Sequence, residues 1–287
     1  MKPAASPYDR MLYLGQGLQI GRFWVPTDDR GFADTGPIEN HVLVFPALPV
    51  EIRYSRRERM VAEPMLAMCY NRGCEYQRRA LNPRGDLCWW IAYEDALLAR
   101  TTGAAEQQPF RHRRVPVPRD AFLVMRAIIT ELASGSKPDQ LQVEDCAWWL
   151  MGRCLDTRRG LPRSNRQQER AVERARMFVA EHFRESISLS DIARTACISP
   201  FHLSRLFHRT VGRRLHQYLV DLRLRESVRE ITHSSRSLTE IGLDLGFSSP
   251  SHFSSTFSNR FGMPPNHLRK HRWARRMLED PRNFLKA

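Results

Sequence analysis

The sequence has no apolar run approaching the roughly 20 residues that a membrane helix needs, and residues 1–10 lack the apolar core of a secretion signal. These absences point to the cytoplasm and leave no membrane partner to expect. The six cysteines, at 69, 74, 88, 146, 154 and 197, include no CxxC pair and lack the close regular spacing of a disulfide-stapled secreted domain. They read as reduced thiols. No GxSxG, HExxH, P-loop or Rossmann fingerprint occurs, so the reading is of a non-enzyme with no catalytic residues, no resident metal and no cofactor. A metal-dependent β-domain enzyme would need clustered histidines, yet only His41 falls among the expected strands, with His112 just beyond. Lysine is nearly missing too, supplying four of the 45 basic residues.

What is present is a chain of 287 residues, 42% hydrophobic and 26% charged, which is enough apolar material for a buried core and enough length for two domains. Its net charge of +14 is unevenly placed. Residues 161–287 hold 23 Lys or Arg against 12 Asp or Glu, whereas residues 1–160 hold 22 against 19. In the basic part 21 of the 23 cations are arginine, the side chain whose planar fork suits phosphates and guanine edges. Double-stranded DNA becomes the leading partner. A general replacement of lysine by arginine would explain the residue type but not the asymmetry.

Residues 41–93 carry short β-favouring runs at 41–45, 50–54, 66–70 and 87–93, bounded by turn signals such as Pro46, Pro49, Gly73 and Pro83-Arg84-Gly85. Two amphipathic helices follow. Residues 120–133 place Phe122, Met125, Ile128, Ile129 and Leu132 on one face, and 140–155 place Val143, Ala147, Leu150, Met151 and Cys154 likewise. The pair either caps the β-domain or forms a homodimer seam, for which Trp148, Trp149 and Met151 are suited. Residues 157–168 have charge, Gly160 and Pro162 but no apolar period, and read as a linker. A helix is expected over 169–183.

The decisive feature is an internal repeat. LSDIARTACISPFHLSRLFHRTVG starts at Leu189 and LTEIGLDLGFSSPSHFSSTFSNRFG at Leu238. Leu189 and Ile192 match Leu238 and Ile241 at an offset of 49; Ser199, Pro200, His202, Ser204, Phe207 and Gly212 match Ser249, Pro250, His252, Ser254, Phe257 and Gly262 at an offset of 50. Each copy reads as a short helix, a tight turn and a second helix. Ser190 is the expected N-cap of the first, the turn lies near Cys197-Ile198, Ser199 caps the next helix with Pro200 at its first position, and Gly212 ends it. Such pairs are the helix-turn-helix of DNA readers, whose second helix enters the major groove, although a single copy could be a plain helical hairpin. Between the copies, 215–233 is one helical pattern. Nineteen residues span roughly 28 Å, close to the roughly 34 Å between successive major-groove faces of a duplex.

Residues 168–270 resemble the DNA-binding domain of the AraC/XylS family of bacterial transcription regulators. The resemblance rests on LSDIA, CISPFHLSRLF, HQYLVDLRLRESVREI and IGLDLGFSSPSHFSSTFSNRFGMPPNHLR; N-terminally it is carried by layout and by YNRGCEYQRRALNPRGDLCWWIAY. It implies a multidomain chain. A β-rich, cupin-like barrel with following helices would form an effector-sensing and dimerisation domain at 1–156, β-rich to about 115 and helical over 118–156. An all-α DNA-binding domain at 169–287 would carry helix-turn-helix motifs at 189–211 and 238–261. It also implies base-reading positions at Phe201, Ser204 and Arg205 and, in the second motif, at Pro250, Ser251, Ser254 and Ser255. The second set is short where family members have long polar side chains, so its direct readout should be weaker. Arg205 can bond bidentately to guanine, and Phe201 offers apolar contact or else belongs to the core. His202 and His252 read as packed or bonded to backbone. Phosphate candidates are Ser199, Arg209, Arg213, Arg223, Arg236, Ser249 and Arg260.

The family function implied is regulation, typically activation, through RNA polymerase under control of a small-molecule effector, by a homodimer. An aromatic effector pocket would draw on Trp24, Phe45, Trp89 and Trp90. Alternatively the N-terminal domain binds another protein. A different class of function attaches the DNA-binding domain to a redox, metal or alkylation sensor built on Cys69, Cys74 and Cys88, although their spacing matches no close-ligand pattern.

Overall fold

Strand-forming runs punctuated by proline, glycine and charge build the first part of the chain as antiparallel ladders. The computed structural model describes residues 8–15, 17–56, 58–95, 98–99, 108–135, 139–156, 165–270 and 272–279. One sheet has the order β1 (Asp9–Leu14), β2 (Leu18–Val25), β9 (Asp86–Tyr93), β4 (Val42–Pro46), β7 (Leu66–Tyr70) and β10 (Arg114–Pro116). A second has β3 (Asp34–Thr35), β8 (Tyr76–Ala80), β5 (Val50–Arg53) and β6 (Arg59–Ala62). Among the described residues no ladder joins the two, so the expected cupin-like barrel is drawn as a pair of sheets.

Register decides what each face of the larger sheet covers. Val44 stands opposite Trp90 and Phe45 opposite Trp89, and alternation sends the neighbouring tryptophans to opposite faces. On one face Val42, Met68, Tyr70 and Ala92 pack with Val50, Ile52 and Ala62 of the smaller sheet. There the Trp90 ring lies across Gly21 of β2, where a Cβ would come within 2.2 Å of it. The other face meets helices α1 (Arg119–Ala133) and α2 (Gln140–Asp156): the Arg126 guanidinium lies 4.4 Å from the Trp89 ring centroid, and the Tyr93 hydroxyl donates to the Ala147 carbonyl at 3.0 Å.

Helix α1 is buried on nearly every side, including Asp120, Arg126 and Glu131. The reason is a third helix from the far end of the chain. Trp273, Ala274, Met277 and Leu278 repeat at the spacing of one helical face, and the last helix (Arg272–Glu279, α9 below) buries them against α1 and α2. Cys146 Sγ of α2 lies 3.6 Å from the Leu278 carbonyl. This stripe seeks apolar cover, so the helix belongs with residues 1–157, whereas the sequence reading runs the DNA-binding domain to 287. The apolar faces of α1 that could form a homodimer seam are thus taken up within the chain.

The second unit, residues 158–270, is helical: α3 (Arg166–His182), α4 (Leu189–Ala196), α5 (Pro200–Val211), α6 (Leu215–His233), α7 (Leu238–Asp244), α8 (Pro250–Phe261) and a 3₁₀ turn (Pro265–Arg269). Most of the expected linker, 157–164, lies outside the described residues. Its end does not stay irregular, because Asn165 and Gln168 form a reciprocal capping box that starts α3. Likewise Ser188 rather than Ser190 caps α4, since Asp191 three residues on can bond back to it. The core sets Phe207 edge-on to Tyr218 at 5.1 Å and runs Phe253, Phe257 and Phe261 down one side of α8.

Candidate nucleic-acid interface

The two copies of the repeat fold alike in detail. Helix α4 ends with Cys197 in the left-handed region, and its partner helix α7 is followed by Gly246 there, 49 positions later. In both turns the next amide reaches back to the residue five before it: Ile198 N–H to the Ala193 carbonyl, and Phe247 N–H to the Gly242 carbonyl. Helices α5 and α8 then start alike, with the hydroxyl oxygens of Ser199 and Ser249 accepting from the His202 and His252 amides and proline at the first position. Gly212 and Gly262, both at positive φ, end them.

The inner face of α5 is Leu203, Leu206 and Phe207, each side chain worth about 1.5–3 kcal/mol when buried. That packing turns the remaining positions outward. Phe201 is 72% exposed, which removes it from the core, and His202, Ser204 and Arg205 are exposed beside it. The Arg205 guanidinium lies 5.5 Å from the Phe201 ring, one helical turn away, so a cation and an apolar plate share one outward patch. Among the described residues no carboxylate pairs with Arg205. On α8 Pro250, Ser251 and Ser255 are exposed and Ser254 half-buried. Its surface is small and short: Ser255 Oγ donates to its own helix at the His252 carbonyl, and the His252 ring sits 3.0 Å from Ser248 Oγ against Phe247.

The arginines separate into two groups. Arg223 is a bracket inside the unit: its three nitrogens donate to the carbonyls of Phe183, Glu185 and Gly246 at 2.6–2.8 Å, and burial lowers its pKa. It ties the end of α3 to the turn after α7, where sequence reasoning expects a phosphate grip. Arg213 and Arg260 share the one carboxylate of Asp221, which leaves one positive charge between them. Arg236 pairs with Asp244 at 3.3 Å, in a network where Arg184 also meets Asp244, Glu226 and Glu230. Arg209 is bound to a neutral partner, Gln168 Oε1, at 2.9 Å, so its charge is not cancelled by that bond. The Arg184 network was not legible beforehand; the turn near Cys197 was, but not the left-handed conformation of Cys197 itself.

A family model described as a helix-turn-helix domain matches residues 192–271, spanning most of both copies. This stretch is an AraC-type helix-turn-helix domain. The chain is similar to the HTH-type transcriptional regulator ArgR of Pseudomonas aeruginosa, 32% identical over 117 residues, 40% of this chain and 36% of that protein. The melibiose operon regulatory protein of Escherichia coli is 28% identical over 93 residues, 32% and 31% of the two chains. A crystal structure of a transcriptional regulator of AraC type from Chromobacterium violaceum is 33% identical, covering 38% of this chain and 96% of that one, with a TM-score of 0.36. The chain spans about a third of the length of these curated relatives.

Outside the AraC-type domain, the four aromatics expected to line an effector pocket do not converge. Trp89 and Phe45 are buried on the helix side of the larger sheet, Trp90 packs on the side facing the smaller sheet, and Trp24 is 44% exposed with its indole N–H donating to the Arg84 carbonyl. The three cysteines of the sensor alternative are also apart from that chemistry. Cys69 and Cys88 are buried, and burial pushes the Cys88 and Cys74 thiols up, opposite to what a reactive thiolate needs. Among the described residues no group of three or more His, Cys, Asp or Glu is placed to hold a metal ion. No described helix is long and apolar enough to cross a membrane.

Proposed function

We propose that the protein is a sequence-specific transcription regulator that reads two adjacent major-groove sites of double-stranded DNA with α5 and α8, and that its first unit is a sensor without catalysis. The observation that carries this reading is the outward patch of Phe201, Ser204 and Arg205 on α5, duplicated in placement by Pro250, Ser251, Ser254 and Ser255 on α8. Helix α5 supplies direct readout, with Arg205 on a guanine edge and Phe201 against a thymine methyl. Helix α8, with its short side chains, follows groove shape and backbone. Arg209 and the residual charge of Arg213 and Arg260 lie with phosphates, and the hydroxyl protons of Ser199 and Ser249 remain for the same use. The first unit responds to a small-molecule effector and alters how the DNA-binding unit meets RNA polymerase, as an activator; a homodimer would form through surfaces other than the covered faces of α1.

The test is selection of bound sequences from a random duplex pool by the full-length protein at two salt concentrations. Two short boxes about one helical turn apart are expected. Arg205→Ala should relax one base position by about 1–3 kcal/mol of discrimination, whereas Arg209→Ala should weaken all sequences alike and lower the salt slope by about one unit. Salt-dependent binding with no enriched motif, or the same effect from both substitutions, would overturn the assignment.

A further inference from the structure

Helix α5 packs mainly on α3 and α4, and α8 on α7 and the 3₁₀ turn, so each reading helix belongs to its own packing group. Helix α6 is the element that both groups touch. On the first side the Tyr218 ring of α6 stands edge-on to Phe207 of α5. One helical turn further along α6, on the same face, comes the buried Asp221. Its carboxylate receives an arginine from each group. Arg260, in the last turn of α8, forks onto it, Nε to Oδ1 at 2.6 Å and Nη2 to Oδ2 at 2.9 Å. Arg213, next after the Gly212 that ends α5, donates through Nη1 to the same Oδ2.

This cluster differs from a surface ion pair. The Asp221, Arg213 and Arg260 side chains are 10%, 32% and 30% exposed, the Arg260 fork fixes direction as well as distance, and the network has three members. It is also intolerant of losing its centre: both guanidiniums reach Oδ2, so without the negative charge between them they repel. The clasp joins the end of one reading helix to the end of the other through a single carboxylate. A duplex advances roughly 3.4 Å and turns roughly 35° per base pair, so reading helices held at one separation discriminate between spacers one base pair apart, and loosely joined ones do not.

We infer that Asp221 is a positioning residue that sets the spacing of the two DNA boxes: it touches no DNA, and through Arg213 and Arg260 it holds α5 and α8 at one separation. The inference rests on the reading of the protein as a two-site DNA binder, and it goes further by naming what fixes the distance between the sites.

The experiment measures Kd of the full-length protein for the two-box duplex recovered by selection, and for the same duplex with its spacer one base pair longer or shorter. The ratio between spacers on one protein cancels any uniform gain or loss of affinity. The parent chain should bind the altered duplexes at least tenfold more weakly. Asp221→Asn should bring that ratio below threefold with the sequence of each box unchanged, and should steepen the salt dependence by about one unit because a positive charge is released. Arg213→Gln leaves Asp221 paired one to one with Arg260, so the cluster stays balanced in charge. It should also bring the ratio below threefold, while making the salt dependence shallower. Spacer tolerance that widens in both variants while their salt slopes move in opposite directions marks a positional role, because a loss of stability or of charge alone produces no such pair. A ratio kept at tenfold in Arg213→Gln, or in a folded Asp221→Asn, would overturn the role of Asp221 and leave the two-site reading in place. Selection without two boxes, or a parent chain indifferent to spacer length, would remove that reading and the inference with it.

Discussion

Cys197 stands at φ 58, the only described non-glycine residue at positive φ, in a turn whose repeat counterpart is Gly246 at φ 79. An L side chain costs roughly 1–2 kcal/mol in that region, against the roughly 0.5–1 kcal/mol of chain entropy that glycine adds to the unfolded state. The thiol is exposed and contributes little packing, with Sγ only near the Thr195 carbonyl at 3.8 Å. Cys197→Gly is therefore expected to stabilise the unit by about 0.5–1 kcal/mol, read as a rise of a few degrees in Tm. A fall in Tm would show that the side chain holds the turn. The reverse change at the other copy has no such room, because a Cβ on Gly246 would meet the Arg223 guanidinium at 2.8 Å.

At the scale of elements, α4 and α7 begin with matched capping boxes, Ser188 with Asp191 and Ser237 with Glu240. The Ser188 hydroxyl and amide hold the Asp191 carboxyl below its ordinary 3.8, and the Ser237 amide and hydroxyl hold Glu240 below 4.5. A depressed carboxyl pKa means that folding favours the ionised form. The contribution is complete above the ordinary values and is lost as pH falls through the depressed ones. Tm of the double variant Asp191→Asn, Glu240→Gln should be lower at neutral pH and should drop less on acidification than that of the parent chain; parallel acid limbs would show that the boxes do not matter. These boxes also show what the sequence made legible. Helix α6 was expected at 215–233 and runs Leu215–His233, and β7 was expected at 66–70 and runs Leu66–Tyr70, because their apolar periods are uninterrupted. Strands β6 and β8 escaped notice, since Arg59, Arg78 and Arg79 break the alternation and are neutralised only by distant partners, Glu51 and Asp86. β1 and β2 also escaped: β2 carries Gly21 and Arg22 mid-strand, and the reason for that glycine is the Trp90 ring, 69 positions away in the chain. The outward placement of Phe201, Ser204 and Arg205 on α5 was visible from the repeat, but the engagement of Arg223 by three carbonyls depends on tertiary folding and leaves no pattern in the sequence.

For the whole molecule, the division of labour follows the division of charge: the basic stretch belongs to the helical unit of residues 158–270, and the chain then returns to the first unit through α9. Trp273 is buried there, so Trp273→Ala should cost about 3–5 kcal/mol. That loss should fall on the first unit, seen as earlier unfolding of the tryptophans of β9 by fluorescence, while selection of DNA boxes persists. A chain ending at Lys270 should behave the same way, and loss of DNA selection in either variant would contradict the independence of the two units.

The return of α9 also sets an order in time. During translation the ribosome delivers every helix of the second unit before the one that completes the first. At roughly 5–20 residues per second, the interval between residues 157 and 272 is on the order of ten seconds. Throughout it, α1 and α2 carry an apolar surface whose cover in α9 has not yet been synthesised. The unit that starts first is therefore the last to mature, and its own closing helix is made only after every helix of the second unit.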